Sequence, residues 1–397
     1  MVRRPPAGGR LSSLVVALAV ILEGSLYSAI APLLPRLTRA YPFTELTAGV
    51  LVSGYSGGVV VGALTCVPLL SCARPRYVAA GAMGSLAVST AAFAITDSPT
   101  TLIGARLWQG LSAGVVWTAC VFWLLGAASA HNRGAALGRA MSYSVVGTVL
   151  GPLLGTAAIR FPVALLYSVI AVAGLAIGVG MLIPSSETRQ RLPGGAVIDQ
   201  PREARKFALL GAWVIALTGV VAGVNNVTSP LMLAHLGASD LAIGLVFMGG
   251  ALVMVVVGTP VGSAVDRRGA RHPLSAGLTW LALLLVIVGL CTNPYLGSLA
   301  VVGLSSALTL TYVPGASIMT RAGEISGWSL QFAIALSAVL WSGGETLGAV
   351  AGGYGMQSFG FLWVGAAVGL FALGTAAVAL VLRSSAPEAY GYRQCAR

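Results

Sequence analysis

The stretch SSETRQRLPGGAVIDQPREARK, residues 185–206, is the one long polar run between residues 12 and 382, and what lies on either side of it decides the fold. It carries two prolines, two glycines and five basic residues, a composition that interrupts regular structure and keeps to water. Before it come apolar runs at 12–35, 45–70, 77–96, 100–126, 135–158 and 162–183, and after it runs at 207–231, 240–265, 273–292, 295–319, 328–352 and 360–382. Each suffices to cross roughly 30 Å of hydrocarbon, which takes about 20 helical residues. Backbone in hydrocarbon must satisfy its own hydrogen bonds, so each run is predicted to be an α-helix. The expected fold is an all-α integral membrane protein. Twelve transmembrane helices form two six-helix bundles, residues 1–184 and 207–397, joined by a polar linker, 185–206, and ending in a short tail.

Composition agrees. Hydrophobic residues make up 57% of the chain, charged residues 9%, and mean hydropathy is +0.89, whereas soluble domains are about 25% charged. The 52 glycines and 19 prolines lie within apolar runs, where membrane helices tolerate them, so disorder is excluded. Cys66, Cys72, Cys120, Cys291 and Cys395 show neither metal spacing nor a disulfide framework. The net charge of +12 forms no single basic face for nucleic acid. Composition rich in Arg, Ala and Gly, with Lys206 the sole lysine, fits a bacterium with a G+C-rich genome.

The basic residues report topology instead. Nineteen fall on one side, at the N-terminus (Arg3, Arg4, Arg10), in alternate loops from Arg74 to Arg321, in the linker and in the tail; only Arg36, Arg39 and Arg160 fall on the other. The positive-inside rule then predicts a multi-pass protein of the cell membrane with both termini cytoplasmic. The first run follows Arg10 without a small-residue cleavage site, so it is expected to be a retained helix and not a signal peptide.

The halves repeat. VVVG at Val59–Gly62 recurs at Val255–Gly258, and a glycine ladder, Gly147, Gly151 and Gly155, recurs as Gly344, Gly348 and Gly352, both displaced by almost half the chain. Two signals at nearly one offset indicate duplication. Duplicated membrane bundles commonly hold a small-molecule site between them and expose it to each side in turn.

After the eighth run stands Gly262-Ser-Ala-Val-Asp266-Arg267-Arg268-Gly269-Ala-Arg271, which resembles the loop signature of the major facilitator superfamily, a likeness that extends along essentially the whole chain. There Gly permits the turn, Asp meets a helix N-terminus, and Arg meets carbonyls or lipid phosphates. The first-half counterpart departs from it: Leu70, Ser71 and Ala73 stand where Asp266, Arg267 and Gly269 do, with only Arg74 and Arg76 as charge. In the fourth run Arg106-Leu-Trp-Gln109-Gly110, with Gly114, resembles a second signature; Arg106, Gln109, Gly110, Gly114 and Trp117 share one helical face. In the fifth, Gly147-Thr-Val-Leu-Gly151-Pro152-Leu-Leu-Gly155 is similar to the signature of the superfamily's drug:proton antiporters. Its glycines make a groove for a neighbouring helix, while Pro152 frees a carbonyl and bends the chain. Plain packing is the alternative for that ladder, as is a guanidinium held by carbonyls for Arg106.

Of the eleven acidic residues only Glu23 and Glu345 fall well inside the runs. Carboxyls at that depth are functional candidates that can exchange a proton each cycle, or else neutral groups hydrogen-bonded for packing. Arg106 is a cation that can tune them. Tyr27, one turn from Glu23, and Trp341, one turn from Glu345, are candidate substrate contacts together with Trp117, Asn225 and Asn226; the two asparagines read equally as a fraying helix end. No nucleotide-binding loop, nucleophile triad or metal cluster appears in the sequence. The implied activity is non-enzymatic: a monomer without cofactor, driven by the proton gradient, exporting a small hydrophobic or drug-like molecule by antiport, as in multidrug resistance. An exporter of one endogenous natural product or sugar, an uptake carrier, and a non-transporting receptor are the other readings.

Overall fold

The structure is a computed structural model that describes residues 7–96, 98–128, 133–158, 161–183, 202–328 and 330–381. The polar stretch up to residue 201, the tail beyond 381, Arg3, Arg4 and Arg160 lie outside the described residues. Thirteen α-helices account for the predicted spans: α1 Ala7–Ser28, α2 Ile30–Ala40, α3 Glu45–Cys72, α4 Pro75–Ala94, α5 Pro99–Ala127, α6 Arg133–Ala157, α7 Val163–Met181, α8 Arg202–His235, α9 Asp240–Arg268, α10 Arg271–Leu290, α11 Pro294–Ile325, α12 Leu330–Phe359 and α13 Phe361–Val381. Ten are long and apolar enough to cross a membrane singly. Residues 12–40 make a further crossing as a pair bent by 42°. The apolar run of α12 is interrupted by Glu345 and several glycines, and its packing along α8 and α3 places it across the bundle.

The first crossing, predicted as one helix over 12–35, is two. Pro32 has no N–H to give the Ser28 carbonyl and Pro35 none for Ala31, so the helical ladder lapses where α1 ends. Pro152 leaves the Thr148 carbonyl free by the same logic. The Ser28 hydroxyl, at the break, lies 3.1 Å from that carbonyl and donates to it. Two proline lesions in neighbouring helices thus share a hydrogen bond. The two helices can approach because Gly147, Gly151 and Gly155 turn their bare faces to Ile21, Ser25 and Ala29.

The second bundle repeats the arrangement. Gly344, Gly348 and Gly352 of α12 lie on Ala216, Val220 and Val224 of α8, so α12 stands to α8 as α6 stands to α1. The pairs α3–α5, α4–α7 and α1–α6 correspond to α9–α11, α10–α13 and α8–α12. Apolar cores follow: one centred on the first bundle, built around residues such as Leu26, Leu86 and Leu125 and reaching Val227, Leu231 and Ala349 of the second, and two within the second, around Leu278 and around Ile243. Large apolar side chains on the outer faces, among them Val172, Val256 and Phe371, are exposed as lipid contact requires.

Arg74, Arg76, Arg139, Arg205, Lys206, Arg267, Arg268, Arg271 and Arg321 gather at one end, called here the basic end. At the opposite end the bundles meet closely. Gly49 and Gly353 bring α3 and α12 backbone to backbone, Gly244 of α9 abuts Thr156 of α6, and the Leu46 N–H donates to Gln357 Oε1 at 3.3 Å.

Helix α3 approaches α5 so closely that a Cβ at Gly110 would overlap the Tyr55 carbonyl. Gly110→Ala is therefore expected to destabilise by about 1–3 kcal/mol, the scale of overpacking, lowering the thermal midpoint in detergent. Gly81→Ala, where nothing lies within 4 Å, leaves the midpoint unchanged or raises it. Equal midpoints for wild type and Gly110→Ala would contradict the packing described.

Candidate functional site

The α3–α5 contact positions Arg106. Its guanidinium, 1% exposed, lies over the Tyr55 ring at 4.4 Å from the centroid. Its Nη1 donates to the Leu26 carbonyl (3.2 Å) and to Gln109 Oε1 (3.1 Å). Gln109 Nε2 in turn donates to Thr90 Oγ1 at 3.3 Å, reaching α4. Arg106 Nε is buried with no hydrogen-bond partner, and among the described residues Arg106 forms no ion pair. A cation held by carbonyls and an aromatic face keeps its charge available to groups nearby.

Those groups are the two carboxyls. The Tyr55 hydroxyl donates to Glu23 Oε1 at 3.2 Å, with the Glu23 backbone carbonyl equally near. Glu345, 2% exposed, accepts from Tyr27 Oη at 2.7 Å and Asn226 Nδ2 at 3.0 Å, and Asn226 also lies 3.4 Å from Tyr27 Oη. The Tyr27 and Tyr55 rings are in contact, with centroids 5.9 Å apart. One chain of groups therefore runs Arg106, Tyr55 and Glu23 in the first bundle, then Tyr27, and across to Glu345 and Asn226 in the second. Glu23, Tyr27 and Asn226 sit deep in the molecule yet are only half-buried, so the chain borders internal space between the bundles.

Trp341 is half-buried beside Glu345 and meets Tyr312 of α11 edge to face at 5.1 Å. Trp117 packs against the first apolar core. Asn225 is turned away: it accepts from Ser229 Oγ at 2.7 Å within its own helix. Successive helical residues point about 100° apart, so only one of the two asparagines can face the carboxyls. Tyr55 and Tyr312 had no motif to mark them. Their sole sequence signal is a polar-tipped aromatic within an apolar run, and for Tyr55 the flanking Gly54, Gly57 and Gly58.

The loop signature lies elsewhere, at the basic end. Gly269 closes α9 with φ +76°, a conformation glycine adopts without strain. Asp266 does not cap α10; it is exposed in the last turn of α9, and Ala270, which lacks a capping side chain, takes that place. Arg267 is exposed and Arg271 half-buried, while a Cβ at Gly262 would meet open space. In the first half Arg76 is buried and stacks on Tyr77, 4.6 Å from the ring centroid.

Two pseudo-symmetric bundles with ionisable side chains meeting between them define a membrane carrier. The sequence model described as Major Facilitator Superfamily matches residues 16–224, more than half of the chain, and the protein belongs to that superfamily. Among named relatives, the MFS-type transporter ppzB of Metarhizium majus (strain ARSEF 297) is 26% identical over 76% of this chain and 80% of its own. An "Uncharacterized MFS-type transporter" of Yersinia pestis (strain Pestoides F) is 27% identical over 63% of this chain and 62% of its own. The crystal structure of a D-xylose-proton symporter superposes with a TM-score of 0.69 at 15% identity, covering 93% of this chain and 97% of that one. The protein is thus a multi-pass membrane transporter of small molecules, not an enzyme.

Lysine cannot stack flat on Tyr55 while reaching both Leu26 and Gln109. Arg106→Lys is expected to lose about 1–3 kcal/mol, the scale of buried polar groups left unmet, seen as a lowered midpoint in detergent. A midpoint equal to that of wild type would show that the guanidinium geometry does not hold this site together.

Proposed function

We propose that the protein is a proton-coupled antiporter that exports a small hydrophobic or drug-like molecule by alternating access, with Glu23 and Glu345 carrying the protons. The observation behind this reading is the pair of carboxyls deep in the molecule, one per bundle, joined through Tyr55 and Tyr27 beside an Arg106 that forms no ion pair among the described residues. Charge is costly at this depth. With Arg106 positive, the cluster is neutral when one carboxyl is ionised and the other protonated. Arrival of a second proton or of a cationic substrate then alters the same balance, so the two compete. Tyr27, Tyr312 and Trp341 supply flat faces suited to an apolar or cationic group. The ladder around Pro152 packs on the α1–α2 break, which provides a flexible point next to the cluster.

The remaining parts of the proposal follow from charge. The positive-inside rule makes the basic end cytoplasmic, at the cell membrane. The bundles, held together at the opposite end, are then closed toward the outside. No cofactor is required, because the gradient supplies the energy, and each bundle pair forms a complete path, so a monomer suffices.

The test is dye efflux from vesicles under an imposed pH gradient. Glu23→Gln is expected to abolish gradient-driven movement of a panel of hydrophobic dyes while the protein remains folded and inserted. Undiminished efflux would end the role assigned to Glu23. Import of the same dyes together with protons would instead favour an uptake carrier working by symport, the mode named for the D-xylose-proton symporter of the same fold.

A further inference from the structure

Helix α2 carries charge to both bundles at the end opposite the basic one. It is an 11-residue helix set off from α1 at Ala29, one residue past Ser28. Its Arg36 donates to the Ala158 carbonyl, just beyond α6. In its last turn Arg39 Nη2 donates to Asp240 Oδ1, in the first turn of α9 and so in the other bundle. Arg39 Nε is tied to its own Pro35 carbonyl at 2.9 Å, which aims the guanidinium along the helix. Asp240 lies at the N-terminal end of α9, where a carboxylate is favoured by the helix dipole, so it is in place before Arg39 arrives. Among the described residues this is the one ion pair. The contacts around it, Gly49 against Ala349 and Gly353 against Glu45, are apolar or backbone contacts that carry no charge preference.

We propose that Arg39 and Asp240 are a gating pair, positioning residues whose ion pair holds this end of the carrier shut and breaks once in every transport cycle. The moving part is α2, turning about the proline-induced break that follows Tyr27. The same short segment therefore joins the gate to the Tyr27–Glu345 bond across the bundles. The arms of the pair differ in exposure, 64% for the Arg39 side chain and 18% for Asp240. Water reaches the pair, which keeps it weak enough to open and close repeatedly. A deeply buried pair in this position would trap the closed state. The proposal depends on neither the coupling ion nor the substrate.

Spin labels at Pro42 and Ser358, both exposed and on opposite bundles at this end, report the gate by double electron–electron resonance, with the native cysteines replaced. Wild type is expected to populate mainly a short distance. Arg39→Gln and Asp240→Asn should each raise the long-distance population about two- to fivefold, the scale of an exposed ion pair. The exchanged variant, Arg39→Asp with Asp240→Arg, should return toward wild type. Single variants that leave the distribution unchanged, or an exchange no closer to wild type than Arg39→Asp alone, would overturn the proposal. Should the charge variants fail to fold, raising NaCl on wild type from about 0.05 M to about 1 M, which shortens screening from about 14 Å to about 3 Å, must produce the same shift. An unmoved distribution there overturns it equally.

Discussion

A carboxyl group at mid-membrane finds no water to satisfy it, so the protein has to supply each partner, and Glu345 obtains one of its two from the other bundle. Tyr27 donates across the interface while Asn226 donates from the same side. Tyr27 in turn stacks near Tyr55, which satisfies Glu23 and lies beneath Arg106. Each member is placed by the need of another, and the cluster as a whole fixes how the two bundles face each other. Loss of one donor would leave a buried acceptor unmet, which costs far more than an ordinary hydrogen bond contributes.

That cluster has to coexist with movement, and small residues make this feasible. Within each bundle, glycines bring backbones together along α6 on α1 and α12 on α8, giving units too closely packed to deform. Between the bundles the contacts gather at one end, so rocking about the centre can relieve them without unpacking either bundle. The break in the first crossing, at Ala29, sits where this rocking would bend the chain, two residues beyond Tyr27.

The twelve runs were legible because hydrocarbon imposes length and hydropathy, and the duplication because glycine ladders survive where backbones must touch. The α1–α2 break was written in Pro32 and Pro35, yet hydropathy alone joined 12–35 into one run, since both prolines sit among apolar neighbours. Arg106, Glu23 and Glu345 stood out as charges where charge is costly. Tyr55 did not, because a tyrosine in an apolar helix looks like any lipid-facing aromatic until its hydroxyl is seen to meet Glu23. Asn225 and Asn226 were indistinguishable for want of helix phase. The ion pair of Arg39 with Asp240 was hidden for a different reason: it joins residues far apart in sequence, and no local pattern encodes such a contact.

The claim on which the rest stands is that Tyr27 and Glu345 are energetically joined across the bundles. A double-mutant cycle of Tyr27→Phe and Glu345→Gln, followed by equilibrium unfolding in mixed micelles, measures that directly. The predicted result is a coupling of about 0.5–3 kcal/mol, the range for residues in contact. Losses that simply add, to within roughly 0.3–0.5 kcal/mol, would contradict it.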